Sequence, residues 1–105
     1  MSRRPLEIVI IGVTRNGRIF RPSDWAERLC GCMSLFREDH RIDYSVYLKP
    51  GICAGVKCVV IDRRLEETNP EAFSFLMSFA RDNELQVREG RHEVRRAIRL
   101  QFHVA

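Results

Sequence analysis

RPSDWAERLCGCMSLF, residues 21–36, carries the clearest helix-start signal in the chain, and the fold is interpreted outward from it. Ser23 or Asp24 can cap a helix, because either side-chain oxygen accepts a hydrogen bond from a free amide of the first turn. Asp24 and Glu27 are also spaced as a capping box, and both carboxylates suit the positive end of a helix dipole. The segment therefore predicts a helix that begins at residue 24.

The same segment places apolar side chains on one face of that helix. Four of them recur at helical spacing: Trp25, Leu29, Met33 and Phe36. This pattern predicts a helix over residues 24–36 with one buried face. Gly31 lies inside it, at a position where the helix could kink or end.

Before the helix, residues 6–13 (LEIVIIGV) are apolar and largely β-branched at both alternating sets of positions. This pattern is typical of a central strand that is covered on both sides, or covered on one side and paired deeply. Asn16-Gly17 is a strong turn signal, so we expect Ile19 and Phe20 to pair back as a short hairpin arm.

After the helix, alternation predicts a half-buried strand over residues 44–48, and KCVVID predicts a further strand over residues 57–62. The residues between these strands, 49–55, include Pro50, Gly51 and Gly55. They predict a turn-rich connection.

Asn69-Pro70 marks the start of a second helix, because asparagine caps and proline suits the first helical position. We expect this helix to reach residue 81 or 82 and to end at Asn83. Residues 85–87 then predict a short strand.

Two patterns overlap at the end of the chain. Ile98, Leu100, Phe102 and Val104 alternate with polar residues as in a strand, whereas Val94, Ile98 and Phe102 are four apart as in a helix. The alternation is favoured here. The sequence therefore predicts a single domain over residues 1–90, followed over residues 91–105 by a basic strand or by a tail that orders only on binding.

The predicted order is strand, hairpin arm, helix, strand, strand, helix, strand. This order is typical of an α+β domain in which two helices pack on a single layer of mixed or antiparallel sheet. The split-βαβ (ferredoxin-like) arrangement is one topology that fits it.

Three separated blocks, FRPSDWAERLCG at 20–31, GVKCVVID at 55–62 and FLMSFARDNELQV at 75–87, carry a resemblance to a known family. In this order they resemble a small family of bacterial proteins, known mainly from proteobacteria and catalogued as a domain of unknown function. The resemblance covers roughly residues 8–90. It implies a single α+β domain in a bacterial cytoplasmic setting, and it brings no catalytic residue and no ligand.

The net charge of +4 is concentrated at the two ends of the chain, with Arg3 and Arg4 at one end and a nearly neutral body between. A nucleic-acid-binding role would therefore use the basic C-terminal segment. Its arginines are Arg88, Arg91, Arg95, Arg96 and Arg99. No apolar run approaches the roughly 20 residues that a membrane helix needs, so we expect a cytoplasmic protein without membrane contact.

Metal and catalytic chemistry have weak signals. The four cysteines are Cys30, Cys32, Cys53 and Cys58. Their Cys-x-Cys and Cys-x4-Cys spacings differ from the Cys-x-x-Cys turns that usually bind zinc, so we expect no metal, no cofactor and inert cytoplasmic thiols. A phosphate-binding glycine loop, Gly-x-Ser-x-Gly and His-Glu-x-x-His are all missing from the sequence, which disfavours an enzyme.

Two candidate binding surfaces remain. Arg21, Trp25 and Arg28 could form an exposed stacking patch, although Trp25 also leads the apolar stripe and is favoured as a core residue. Phe73 and Met77 lie at the edge of a wide apolar arc on the second helix. In a small domain this arc is favoured as deep core, but part of it could meet a partner. The sequence thus predicts a non-enzymatic protein-binding or regulatory module, with another protein or a second copy as its partner. A nucleic-acid-binding accessory protein is the alternative.

Overall fold

The computed structural model describes residues 6–33 and 47–101. Four strands and four helices follow one another in this part of the chain. In order they are β1 Glu7–Thr14, α1 Trp25–Cys32, β2 Leu48–Cys53, β3 Val56–Asp62, α2 Arg64–Thr68, α3 Pro70–Asp82, β4 Leu85–Glu89 and α4 Arg91–Gln101.

The four strands form one antiparallel sheet in the order β2-β3-β1-β4. The apolar strand β1 lies inside the sheet, paired with β3 from Glu7↔Asp62 and with β4 from Ile8↔Glu89. β3 lies between β1 and β2, which is the split-βαβ arrangement. The predicted α+β class, with helices on a single sheet, is confirmed.

Three helices cover one face of the sheet and form the larger core cluster. The strands contribute Ile8, Ile10, Leu48, Val59, Ile61 and Leu85, and the helices and the residue after α1 contribute Trp25, Ala26, Leu29, Met33, Leu65, Ala72, Leu76 and Ala80. Residues two apart on β1 and β3 point to the same face, so this set follows directly from the alternation of a strand.

The opposite face of the sheet is covered by α4, which differs from the prediction of two helices on a sheet. Val94 and Ile98 of α4 are buried in a second cluster. The strand residues of this cluster are Val9, Ile11, Val13, Cys53, Val56 and Cys58. The apolar residues on both faces of β1 are thus each covered by helices, in line with the first of the two expectations for LEIVIIGV.

The predicted C-terminal strand is wrong where the structure describes it, because residues 91–101 form a helix. Val94 and Ile98 are four apart, and burying this pair against the sheet outweighs the alternation that favoured a strand. Residues 102–105 lie outside the described residues. The division of the chain into a 1–90 domain and a separate 91–105 segment stays a prediction.

α1 starts at the predicted place but without the predicted capping box. Asp24 occupies the N-cap position and makes no side-chain capping bond. Its carboxylate accepts a hydrogen bond from Arg28 Nε at 2.8 Å. Glu27 accepts one from Lys57 Nζ at 2.9 Å. Gly31 lies within the helix, and residues 34–36 of the predicted helix lie outside the described part.

The hairpin arm after β1 is confirmed. Val13 pairs with Ile19, and the amide of Phe20 donates to the carbonyl of Gly12 at 2.9 Å. Gly17, in the turn, has φ of 86°, which glycine adopts without strain.

The predicted turn-rich connection over residues 49–55 is wrong, because Leu48–Cys53 is a strand. β2 is an edge strand, and an edge tolerates Pro50 since its missing amide can face away from the sheet. The turn is confined to Ala54 and Gly55, with φ of 50° and 80°. Two consecutive positive φ angles are typical of the tight turn that joins paired strands. Of the strand predicted over 44–48, residues 44–46 lie outside the described part.

α3 is confirmed at both ends. The side chain of Asn69 accepts a hydrogen bond from the Ala72 amide at 3.1 Å, and Pro70 is the first helical residue. Asn83 follows the last residue of the helix, and the strand predicted over 85–87 is β4. None of the helices in residues 6–33 and 47–101 is both long enough and apolar enough to traverse a bilayer.

Candidate functional site

None of the four cysteines belongs to a group of three or more side chains, within the described residues, that could hold a metal ion. Cys53 and Cys58 are buried, Cys30 is half-buried and Cys32 is exposed. Burial, and then the neighbouring Glu27 carboxylate, raise the pKa of Cys30 to about 11. Burial, followed by the neighbouring Cys53 thiol, raises the pKa of Cys58 to about 12. Both thiols are therefore neutral near pH 7, and a neutral thiol is a poor nucleophile and a poor ligand.

The predicted stacking patch of Arg21, Trp25 and Arg28 does not have an open ring. Trp25 is 3% exposed, and it stacks on Phe79 at 6.2 Å and meets Phe20 edge-on at 5.6 Å between ring centroids. Arg21 and Arg28 are exposed, and Arg28 is paired with Asp24. The face of the indole is therefore taken by the core, as the alternative interpretation of Trp25 required.

The apolar strip proposed on α3 is half-buried. Phe73 and Met77 both pack against the larger core cluster, whereas Phe75 on the same helix is 37% exposed. A binding role for Phe73 and Met77 stays a prediction.

Two of the five arginines in the basic segment are engaged within the protein. Arg91 makes a two-pronged ion pair with Glu7, with Nε and one terminal nitrogen 3.0 and 2.9 Å from the two carboxylate oxygens. Arg88 donates to the carbonyl of Val87 at 2.9 Å and to Gln86 Oε1 at 3.1 Å. These two guanidinium groups brace the start of α4 and the strand before it.

The remaining three arginines form, together with His92, what we call the basic face of α4. His92, Arg95, Arg96 and Arg99 line a hollow of about 470 Å³, and all four are exposed. Their spacing places His92, Arg96 and Arg99 on the side of the helix away from Val94 and Ile98, with Arg95 at the edge of that side. None of the ion pairs in the described part of the chain uses them. This is a positive surface on a helix, and its side chains form no ion pair among the described residues.

Sequence reasoning found the three arginines but missed His92. Its position three residues before Arg95 and four before Arg96 would have placed it beside them if residues 91–101 had been interpreted as a helix. The strand interpretation instead put Arg95 and Arg96 on opposite sides.

A second open feature follows the outer edge of β4. A groove of about 870 Å³ is lined by the turn after β1, at Arg15, Asn16 and Gly17, and by residues 85–88 of β4. The amide of Arg15 donates to the carbonyl of Glu84 at 2.8 Å, which fixes the turn beside the start of β4. No sequence signal indicated this groove, because it depends on which strand ends the sheet.

Comparison with known proteins supports the resemblance drawn from the three sequence blocks. A solved solution structure, described as the first structural representative of its family, is similar with a TM-score of 0.71 and 45% sequence identity, over 85% of this chain and 82% of that chain. No protein of curated function matches the chain. The family DUF3579, described as a protein of unknown function, matches residues 4–90. The chain therefore belongs to this family.

Proposed function

We propose that this protein is a non-enzymatic binding module of the bacterial cytoplasm that holds nucleic acid against the basic face of α4. The observation that carries the proposal is the exposed stripe of His92, Arg95, Arg96 and Arg99, which has no carboxylate partner in the described part of the chain. Guanidinium groups bind phosphate oxygens through paired hydrogen bonds, so such a stripe suits a phosphate backbone.

This proposal reverses the order of the two functions that the sequence indicated. The sequence favours a protein partner, through Trp25, Phe73 and Met77. The burial of Trp25 and the half-burial of Phe73 and Met77 reduce the support for that surface. The helical form of residues 91–101, in contrast, gathers three of the five predicted arginines on one face.

The architecture favours contacts to phosphates over contacts to bases. Helices cover both faces of the sheet, so the aromatic stacking that an open sheet offers to single-stranded RNA has no place among the described residues. From His92 to Arg99 the stripe is about 10 Å long. It can therefore reach only a few phosphates, and we expect affinities in the range of non-specific binding, with Kd on the order of 10⁻⁴ to 10⁻⁶ M.

The proposal is tested by fluorescence anisotropy with a labelled DNA duplex and a labelled single-stranded RNA at several salt concentrations. If three arginines each neutralise one phosphate, the slope of log Kobs against log salt for the duplex is about −3. The triple variant R95Q/R96Q/R99Q should lose binding and slope together. The matched control R18Q/R21Q/R81Q removes the same charge from exposed arginines elsewhere and should bind like the parent protein.

Four results would contradict the proposal. The parent protein could show no binding at low salt, or the triple variant could bind unchanged. Loss of binding in the R18Q/R21Q/R81Q control would instead move the contact toward the Arg21 region. Equally tight binding of polyglutamate would assign the basic face of α4 to an acidic protein.

A further inference from the structure

The outer edge of β4 presents backbone groups that no described strand pairs with. The Gly90 amide donates to the Glu7 carbonyl at 2.9 Å, and in the same register Ile8 is opposite Glu89 and Ile10 is opposite Val87. Hydrogen-bonded and non-bonded pairs alternate along antiparallel strands, so Leu85, Val87 and Glu89 point their amides and carbonyls away from β1. Leu85 and Val87 line the 870 Å³ groove.

The opposite edge of the sheet differs in one decisive respect. The Asp62 amide donates to the Tyr47 carbonyl at 2.7 Å, which by the same alternation turns Leu48, Pro50 and Ile52 of β2 outward. Pro50 has no amide hydrogen and lies at the middle of these outward positions. A proline at this place blocks strand addition, and β4 contains none.

We propose that β4 pairs with β4 of a second copy of this chain, antiparallel and about a two-fold axis at Val87. This inference concerns a different surface from the proposed nucleic-acid site and does not depend on it. In this register Val87 is opposite Val87, and Leu85 is opposite Glu89 of the second copy. Each of these three outward pairs exchanges two backbone hydrogen bonds, about six in all.

The charges at this junction allow the two strands to pair. Arg88 comes opposite Gln86 of the second copy, so no like charges face each other directly, as they would destabilise a strand pair. Arg15 flanks the start of β4, because its amide is bonded to Glu84. Glu89 of the second copy ends beside that start. Arg15 of each copy would therefore approach Glu89 of the other, whose carboxylate also pairs with Arg63 of its own chain.

In the monomer, the Arg88 side chain occupies part of the outer edge of β4. Its guanidinium donates to the outward carbonyl of Val87 at 2.9 Å. On pairing, the Val87 amide of the second copy takes over that carbonyl, and Arg88 turns toward the Gln86 opposite it. The exchange replaces one hydrogen bond by another, so it does not oppose pairing, but it lowers the net gain and keeps the association weak.

Pairing through β4 would also set the relation between the two basic faces. A two-fold axis through an antiparallel strand pair is perpendicular to the sheet, so both copies keep the same face upward. The two α4 helices would then lie on the same side of one eight-stranded sheet, because each lies on the face opposite α1 and α3.

Sedimentation velocity over a concentration series tests the inference on the full chain. A contact built on one strand pair is small, and we expect a dimer with Kd on the order of 10–100 μM. Val87→Pro removes an outward amide without touching the β1–β4 ladder and should raise the Kd at least about tenfold. Ile52→Pro, an outward position on β2, is the matched control and should leave the Kd unchanged.

A second variant covers the case in which Val87→Pro does not fold, as judged by circular dichroism. Arg15→Glu faces Glu89 of the second copy with a like charge and should also raise the dimer Kd, by about fivefold or more. A parent protein that stays monomeric at 1 mM, on the order of the weakest specific associations, would overturn the inference. A folded Val87→Pro that dimerises like the parent would do the same, as would an Ile52→Pro that loses the dimer. Anisotropy of each variant with the labelled duplex separates this failure from a failure of the nucleic-acid proposal.

Discussion

At the scale of single residues, the missing side chain of Gly12 is what allows the central tryptophan to fit. A β-carbon on Gly12 would lie 2.8 Å from the Lys57 carbonyl oxygen and 2.8 Å from Trp25 Nε1. The indole nitrogen is buried and has no hydrogen-bond partner in the described part of the chain. Packing against Phe20 and Phe79 therefore holds the ring in place.

Gly12→Ala should destabilise the protein by about 2 kcal/mol, because the added methyl group overpacks the contact between β1 and Trp25. Chemical unfolding followed by tryptophan fluorescence would measure the change in the free energy of unfolding. Gly31→Ala is the control: its β-carbon meets nothing within 4 Å. In a helix it should stabilise by about 0.5–1 kcal/mol. Equal stability of the Gly12→Ala variant and the parent would show that β1 and Trp25 do not pack this tightly.

At the scale of elements, α4 shows where inference from the sequence stops. Helix starts and tight turns depend on residues that are close in sequence. For this reason Asn69-Pro70 correctly predicts the start of α3, and Asn16-Gly17 correctly predicts the turn after β1. The state of residues 91–101 depends on the apolar back of the sheet, which is assembled from Val9, Ile11 and Cys58 on two strands. The residues adjacent to α4 in the sequence give no sign of that surface. The apolar residues on both faces of β1 do indicate that each face of the sheet needs a cover.

The two candidate sites are also only partly predictable from the sequence. The charge of Arg95, Arg96 and Arg99 is visible in sequence, but their common face is not. The edge position of β4 follows from the order of strands, which pairs Leu85–Glu89 with Glu7–Thr14 across most of the chain. Pro50 favours the wrong prediction of a turn-rich connection, since this residue type is typical of turns but lies here in an edge strand.

Val94→Asp should detach α4 from the sheet. Val94 is fully buried in the second cluster, and an unpaired carboxylate there costs several kcal/mol, roughly 3 or more. We expect loss of helical circular dichroism or a collapse of the thermal transition. His92→Asp, on the exposed side of the same helix, should keep the parent's transition. If Val94→Asp were as stable as the parent, α4 would not pack as described.

At the scale of the whole molecule, ion pairs join elements that are distant in sequence. Arg91 pairs with Glu7, Lys57 with Glu27 and Arg63 with Glu89. Hydrogen bonds from Arg64 lower the pKa of Asp62, and the hydrogen bond from Lys57 lowers the pKa of Glu27. A carboxyl whose pKa is lowered by folding stabilises the fold when ionised.

Stability should therefore be lost on the acid side. The contribution of Asp62 is complete above its ordinary pKa of about 4 and disappears as the pH falls through its lowered folded value. Asp62→Asn should reduce the free energy of unfolding by about 0.5 kcal/mol near neutral pH, since the pair is partly exposed. Urea unfolding at several pH values measures this difference. It should shrink as the pH falls below the ordinary aspartate pKa of about 4, and a difference that is constant with pH would contradict the role of the charge.

The central place of β1 has a consequence for how the protein is made. β1 is translated before both of its neighbours, β3 and β4. Helix α4, which covers one face of β1, is translated later still. While the ribosome adds the intervening residues, LEIVIIGV lacks both of its strand partners, and only the hairpin arm and α1 are available to cover it. Such a segment is a target for chaperones and for wrong pairing with other nascent chains. The core of this fold can close only after Leu85–Gln101 has emerged, and slow translation of the residues between β1 and β4 would lengthen that exposure.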